Sequence, residues 1–221
     1  MNTVICTVDV VLLTLKDAAL NVALLKRDRE PFGGLSALPG GFIDAVKDID
    51  ARDAALRVLK DKTGIDAPYL EQLATFSGAA RDPRGWSVAI AYFALVPAEA
   101  IERIDRPDVS LSRVEQRAAL PFDHRLIVDA AVARLRSKSQ YSSLPCYLAG
   151  ETFTLPHLQR VYEMLMGEAL NKVSFRRKMA EMGMLEPIPG RLEMSGAHRP
   201  AQLYRLKKQF TEKLTLLTRG L

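Results

Sequence analysis

Two runs near the start of the chain, residues 3–15 and 21–26, are rich in β-branched and aliphatic side chains and are joined by a polar Lys-Asp turn. This pattern predicts a β-hairpin that opens a sheet. After KRDREPFGGLSALPGGF, a loop rich in Arg, Pro and Gly, the period changes. Ala51, Ala54, Ala55, Val58 and Leu59 recur at i, i+3, i+4, i+7 and i+8, the apolar stripe of an amphipathic helix. Asp50 stands at the N-cap position and Gly64 just past the end, so the helix is bounded locally. Residues 70–78 and 86–96 return to strand-like runs around the polar turn AARDPRG. Residues 97–106 begin helically and pass into a loop, and residues 114–119 read as a short link. Pro121 opens PFDHRLIVDAAVARLRSK, a helix with Leu126, Ala130, Ala133 and Leu135 near one face and Arg125, Asp129, Arg134 and Arg136 mostly outside it. Strands alternating around helices predict an α/β layered fold.

The pattern changes after the polar run Ser-Lys-Ser-Gln-Tyr-Ser-Ser, which predicts one domain over residues 1–139 and a second over 140–221. In the second, Thr154 caps a helix with Pro156 in its first turn, Leu155, Leu158, Tyr162 and Leu165 on its apolar face, and Gly167 at its end. Asn171 caps another helix that runs to Met182 and stops at Gly183. Phe175, Met179 and Met182 form its inner face, while Ser174, Arg177, Lys178 and Glu181 share the outer one. Leu185-Glu-Pro, PGRLEMSGAHRP and AQLYRL follow as strand, flexible loop and strand. Two short helices and a hairpin make a winged helix-turn-helix.

Charge sharpens this division. Of the 221 residues, 31 are Lys or Arg and 26 are Asp or Glu, a formal charge of +5. Up to Ser139 the chain has 19 of each sign; from Gln140 onward it has 12 cations against 7 anions. A neutral front and a basic back suit a second domain that meets a polyanion. No apolar run approaches the ~20 residues that span a bilayer, and MNTVICTVDVVLLTL has no basic leader, so a cytoplasmic protein is expected. Cys6 and Cys146 lack metal-type spacing and are expected to be buried free thiols.

Candidate chemistry lies first in Pro39 to Ile65. The order Gly-Gly-Phe, loop, Arg, aliphatic, acid, Gly, aliphatic resembles the Nudix box, G-x5-E-x7-R-E-U-x-E-E-x-G-U with U aliphatic. Matching back from Gly64 places Arg57, Leu59, Asp61 and Ile65 on the motif. Arg57 comes two residues later than the spacing from Gly41 sets. The resemblance implies carboxylates at i, i+3 and i+4 of the helix, holding the magnesium ions that bridge a pyrophosphate. Here those places read Val58, Asp61 and Lys62. Magnesium takes hard oxygen ligands, and an ammonium within one helical turn repels it. No catalytic or metal-ligating residue is therefore assigned, and no cofactor is required. Asp44, Asp48 and Asp50 read either as oxygen donors or as a solvated loop with an N-cap. Asp53, Arg57 and Asp61, at i, i+4 and i+8, read as a surface salt-bridge ladder. The fold implied is an α/β/α sandwich.

Arg81, Asp82, Arg84 and Trp86 gather at the turn ARDPRGW. Arginine forks suit phosphate oxygens and an indole stacks on adenine, while the same residues also suit an ordinary Asp-Pro turn. Gly40 and Gly41 let the backbone approach a ligand, and Phe32 is a second aromatic for stacking or for a core. His124 reads as a ligand, a switch, or a histidine bonded to backbone at a helix start.

The second site is the cationic helix. Asn171, Lys172, Ser174, Arg176, Arg177 and Lys178 lie on a helix of the kind that enters a major groove, with Arg191, His198 and Arg199 at the wing tip for minor groove or backbone. FDHRLIVDAAVARLRSK, FTLPHLQRVYE, NKVSFRRKMAEMGMLEP and HRPAQLYRL, in this order behind an eroded Nudix box, resemble the Nudix-related transcriptional regulators typified by NrtR. The resemblance covers nearly the whole chain. It implies a homodimer that reads a palindromic double-stranded DNA operator, with ADP-ribose or a related nucleotide as effector and genes of NAD metabolism as targets. Two rivals stay open: a working hydrolase of ADP-ribose or a related nucleoside diphosphate derivative using Asp44, Asp48 or Asp61, and the same architecture governing sugar catabolism.

Overall fold

The computed structural model describes residues 3–116, 119–193 and 200–212. Met1–Arg134 and Leu135–Leu221 form two compact units.

In the first unit, β1 (Ile5–Lys16) and β2 (Ala19–Lys26) make the expected hairpin, with Lys16 paired to Ala19 at its turn. Two short strands follow, β3 (Ser36–Ala37) and β4 (Gly40–Phe42), then α1 (Ala51–Thr63), β5 (Tyr69–Gly78), β6 (Ser87–Leu95), α2 (Ala98–Glu102) and β7 (Val109–Arg113). The sheet order is β3-β2-β1-β6-β5; β4 also pairs with β1, and β7 with β2. β1 and β6 run parallel at its centre, and the middle of each is buried on both faces. Successive side chains of β1 point to opposite faces. Val8, Val10 and Leu12 join Ala54, Ala55, Val58 and Leu59 of α1 in one core. Asp9, Val11 and Leu13 face the other way.

The caps of α1 are as expected. The Asp50 carboxylate accepts from Asp53 N–H at 2.8 Å, and Gly64 takes the left-handed conformation at φ 74°. α3 (His124–Ser139) is also present, but its buried face is Ile127, Val128, Ala131, Val132 and Leu135, whereas Leu126 is 62% exposed. Helical spacing counted from His124, itself buried, gives this face; counting from Leu126 shifted it.

In the second unit α4 (Leu144–Leu148) precedes β8 (Phe153–Thr154), α5 (Leu155–Met166), α6 (Lys172–Met182), β9 (Leu185–Glu193), β10 (Ala201–Leu206) and α7 (Lys208–Glu212). Thr154 and Asn171 cap α5 and α6, and Gly167 and Gly183 end them at φ 75° and 61°. Tyr162 of α5 meets Phe175 of α6 edge-on at 5.5 Å and donates its hydroxyl to the carbonyl of Ser142 at 3.1 Å. β8, β10 and β9 form a three-stranded sheet. β9 extends past Pro187 and Pro189 into what reads as loop from sequence; it is an edge strand, where a missing N–H costs little. Cys146 is buried, and burial pushes its thiol pKa up to about 12. Cys6, expected inside, is exposed. Among the described residues no helix is long and apolar enough to cross a membrane.

Candidate functional site

A cleft of about 260 Å³ opens in the first unit, lined by residues after β2 (Arg27 to Glu30), β4, Lys62 of α1, the β5–β6 turn and the start of α3. The register of β4 on β1 explains the Gly-Gly pair. Gly40 lies opposite Asp9 and Gly41 opposite Val8, so the two glycines face opposite sides of the sheet. A Cβ on Gly40 would sit 2.2 Å from Asp9 Oδ1; one on Gly41 would sit 2.9 Å from Val58 Cγ2. The first glycine leaves room for a buried carboxylate, and the second admits the Val58 methyls.

Beneath the cleft lies a charged layer. Arg81, only 7% exposed in its side chain, binds both oxygens of Asp123 at 2.7 and 2.9 Å, reaches Ser87 Oγ at 3.1 Å and lies 3.6 Å from Asp9. His124 Nδ1 accepts from Leu38 N–H at 3.1 Å, which puts the neutral ring's proton on Nε2, 3.7 Å from Asp9 Oδ1. Burial holds the His124 pKa below its ordinary value against the pull of Asp9. Burial likewise raises Asp9, with His124 and Arg81 acting the other way. The structure thus makes His124 the backbone-bonded histidine of the alternatives above.

Arg84 binds both oxygens of Asp82 at 3.0 and 2.7 Å, and its guanidinium stands 5.4 Å from the Phe42 ring centre and 6.0 Å from that of Phe122. The hydrogen bonds from Arg84 hold the Asp82 pKa below its usual range. Of the sequence-predicted ligand residues, Gly40, Gly41, Arg81, Asp82 and Arg84 line the cleft. Phe32 does not; it packs edge-on against Phe122 at 4.9 Å. Trp86 is also outside the lining, and at 47% exposure it stands just before the start of β6. Sequence reading missed Arg27 and Phe122 as cleft residues; His124 and Lys62, weighed above in other roles, also line it. Arg27 lies 4.9 Å over the Phe122 ring and donates to the carbonyl of Pro31 at 2.9 Å.

The divalent ion that the Nudix box implies does not fit these residues. Val58 offers only methyl groups packed on Gly41, and Lys62 puts a cation into the cleft lining. Asp48, side chain 1% exposed, is bound by Arg57 at 2.6 and 2.7 Å and by Asp44 N–H at 2.7 Å, which lowers its pKa to about 2. Arg57 also reaches the Phe42 carbonyl at 3.1 Å and lies 3.9 Å from Asp61. Of the expected Asp53–Arg57–Asp61 ladder the Arg57–Asp61 step is present, while the Asp53–Arg57 step is replaced. Arg57 turns to the loop, and Asp53 accepts from Ile49 N–H at 3.1 Å. Among the described residues no group of three or more His, Cys, Asp or Glu side chains is placed to hold a metal.

On α6, Phe175 and Met179 are buried while Lys172, Ser174, Arg176 and Arg177 are exposed. Asn171 Oδ1 accepts from Val173 and Ser174 N–H, both at 3.0 Å, so its carbonyl end is committed to the cap. Arg177 lies 3.8 Å from Glu181, and Lys178 is half-buried. Arg191 is exposed on β9; His198 and Arg199 lie outside the described residues.

Both parts of the chain match known protein families. The model of the NUDIX domain matches residues 6–130, and that of the NrtR DNA-binding winged helix domain matches residues 145–206. A protein of Acinetobacter baylyi named ADPR responsive transcriptional repressor NtrR is 40% identical over 207 residues, 92% of this chain and 82% of its own length. The chain belongs to the NrtR family. Within that family, Shewanella oneidensis NrtR complexed with a 27mer DNA matches with a TM-score of 0.89 and 38% identity, over 98% of this chain and 99% of that one. The NUDIX domain of the same NrtR complexed with ADP ribose matches at 0.56 and 40%, over 61% of this chain and 90% of that domain. The α/β/α sandwich with a winged helix-turn-helix is thus the NrtR architecture.

Proposed function

We propose that this chain is a cytoplasmic transcriptional repressor that binds an operator through α6 and the wing, and releases it when ADP-ribose occupies the cleft without being hydrolysed. One observation carries the reading: a Nudix helix whose ligand places hold Val58 and Lys62 shares a chain with a helix that exposes Lys172, Arg176 and Arg177. The relatives support it, one by its printed name as an ADPR responsive repressor and the other by structures holding DNA and ADP ribose. Linkage supplies the mechanism. A ligand that prefers the released state lowers operator affinity by its own differential binding free energy. A signal that is not consumed reports its concentration. The chain acts as a homodimer on a palindrome, with genes of NAD metabolism as targets.

In the cleft, Arg84 and the Phe42 and Phe122 rings offer a held guanidinium and aromatic faces to a nucleotide, while Gly40 and Gly41, expected to admit a ligand, give their space to Asp9 and Val58. On DNA, Arg176 and Arg177 read base edges or phosphates, with Lys172 and Arg191 on the backbone. The test is a gel shift on DNA from upstream of the gene, with and without ADP-ribose, with nucleotides from the same tubes separated by chromatography. A shift relieved by intact ADP-ribose is expected; AMP released without any shift means a hydrolase.

A further inference from the structure

Three charged side chains of the cleft lining are in no ion pair among the described residues: Arg27, Glu30 and Lys62. Arg81 is spent on Asp123 and Asp9, Arg84 on Asp82, and Arg29 lies 3.7 Å from Asp28. Arg27 donates to the carbonyls of Pro31 and Arg29 and is in no ion pair among the described residues, though the buried Asp9 feels its charge. Lys62, on the last turn of α1, is exposed, and among the described residues it is in no ion pair. Asp108 feels its charge from beyond the cleft without closing on it. A guanidinium and an ammonium without carboxylate partners thus line one concave surface, above a layer whose own charges are paired. Two cations on one concave surface suit a group that carries two adjacent negative charges.

We infer that Lys62 and Arg27 form a metal-free clamp for the diphosphate of a nucleotide, the ammonium of Lys62 standing in for the divalent ion that a diphosphate otherwise recruits. The inference rests on the effector reading above and deepens it. The clamp explains why a lysine on a helix face next to Asp61 is useful rather than merely tolerated. It would neutralise the ligand's charge without a bound ion able to activate water, so binding is separated from cleavage. Glu30, also in the lining, adds an acceptor for a sugar hydroxyl.

The test is calorimetric binding of ADP-ribose to the full-length chain in EDTA and in magnesium, for the natural sequence, Lys62→Met, Lys62→Arg and Lys62→Glu, with adenosine as a ligand that lacks phosphate. Lys62→Met is expected to weaken ADP-ribose roughly 10- to 100-fold, the scale of one charge-assisted hydrogen bond. Lys62→Glu should weaken it more, and Lys62→Arg should retain most of it. Adenosine should bind every variant alike, which with unchanged thermal melting shows that the cleft is intact. Equal ADP-ribose affinity in Lys62→Met, or natural binding that vanishes in EDTA, overturns the clamp while leaving the effector reading standing. No binding of ADP-ribose by the natural chain in either buffer overturns the effector reading itself.

Discussion

The arginines of the two units live under opposite rules. Around the cleft Arg57, Arg81 and Arg84 are each gripped by both oxygens of an aspartate, and Arg81 and Asp123 are largely withdrawn from water. On α6, Arg176 and Arg177 stand in solvent, Arg177 with only a loose neighbour in Glu181. Tethering fixes shape in advance, which a pocket needs to tell one small molecule from another. Loose, solvated cations suit a surface that must settle on phosphates and release counterions in doing so. The same residue type thus builds a rigid floor in one place and a mobile contact in the other.

The contrast is broken most sharply at Arg81. Arg81→Met leaves Asp123 and Asp9 without their cation, and removal of one partner of a buried pair costs about 3–5 kcal/mol. Urea denaturation of the first unit should show a loss of that order; a change under about 0.5 kcal/mol would mean the floor is not held by charge. Steric fit comes next. Gly41→Ala should cost about 1–3 kcal/mol because its methyl meets Val58, and the double variant with Val58→Ala should recover part of that, a coupling visible in a double-mutant cycle.

A smaller effect follows from pH. His124 is held neutral in the folded chain, its pKa depressed mainly by burial, while the unfolded histidine titrates near 6.5. As pH falls from 7.5 to 5.5 the unfolded chain takes up a proton that the folded one refuses, so stability drops, by at most about 1.4 kcal/mol at the lower pH. Asp9 acts in the opposite sense. Its raised pKa contributes stability fully present below the ordinary carboxylate pKa and lost as pH rises through the raised value. The drop should therefore show as a difference between the natural chain and His124→Asn across that pH range. An unchanged difference would place the histidine outside the floor. The smallest stability effect belongs to α6. Arg177→Ala should leave unfolding within about 0.5 kcal/mol while lowering the salt slope of DNA binding by about 1.

What sequence could read was what local rules decide. Asp50, Thr154 and Asn171 announced helix starts, and Gly64, Gly167 and Gly183 their ends, because caps satisfy backbone groups within a few residues. The strands of two or three residues, β3, β4 and β8, carry too few positions to show alternation, and β4 is held by its partner β1 rather than by its own pattern. The charged floor was invisible for a different reason. Arg81 finds Asp123 at a sequence separation of 42, and Leu38 finds His124 at 86. Only folding brings them together. Arg81 and Arg84 stood out in the turn as phosphate-type arginines; the partner of Arg84, Asp82, was in that same turn, but nothing local pointed from Arg81 to Asp123.

The proposed function needs one coupling, between ADP-ribose held uncleaved in the cleft and DNA held on α6. Reciprocity makes it measurable: the factor by which ADP-ribose weakens operator binding must equal the factor by which operator weakens ADP-ribose binding. Titrating ADP-ribose calorimetrically into the chain alone and into its saturated operator complex gives the second factor, and fluorescence anisotropy of labelled operator gives the first. The account predicts two equal factors well above one, with ADP-ribose recovered whole. Identical ADP-ribose affinity with and without operator, or conversion of the ligand to AMP during the titration, would contradict it.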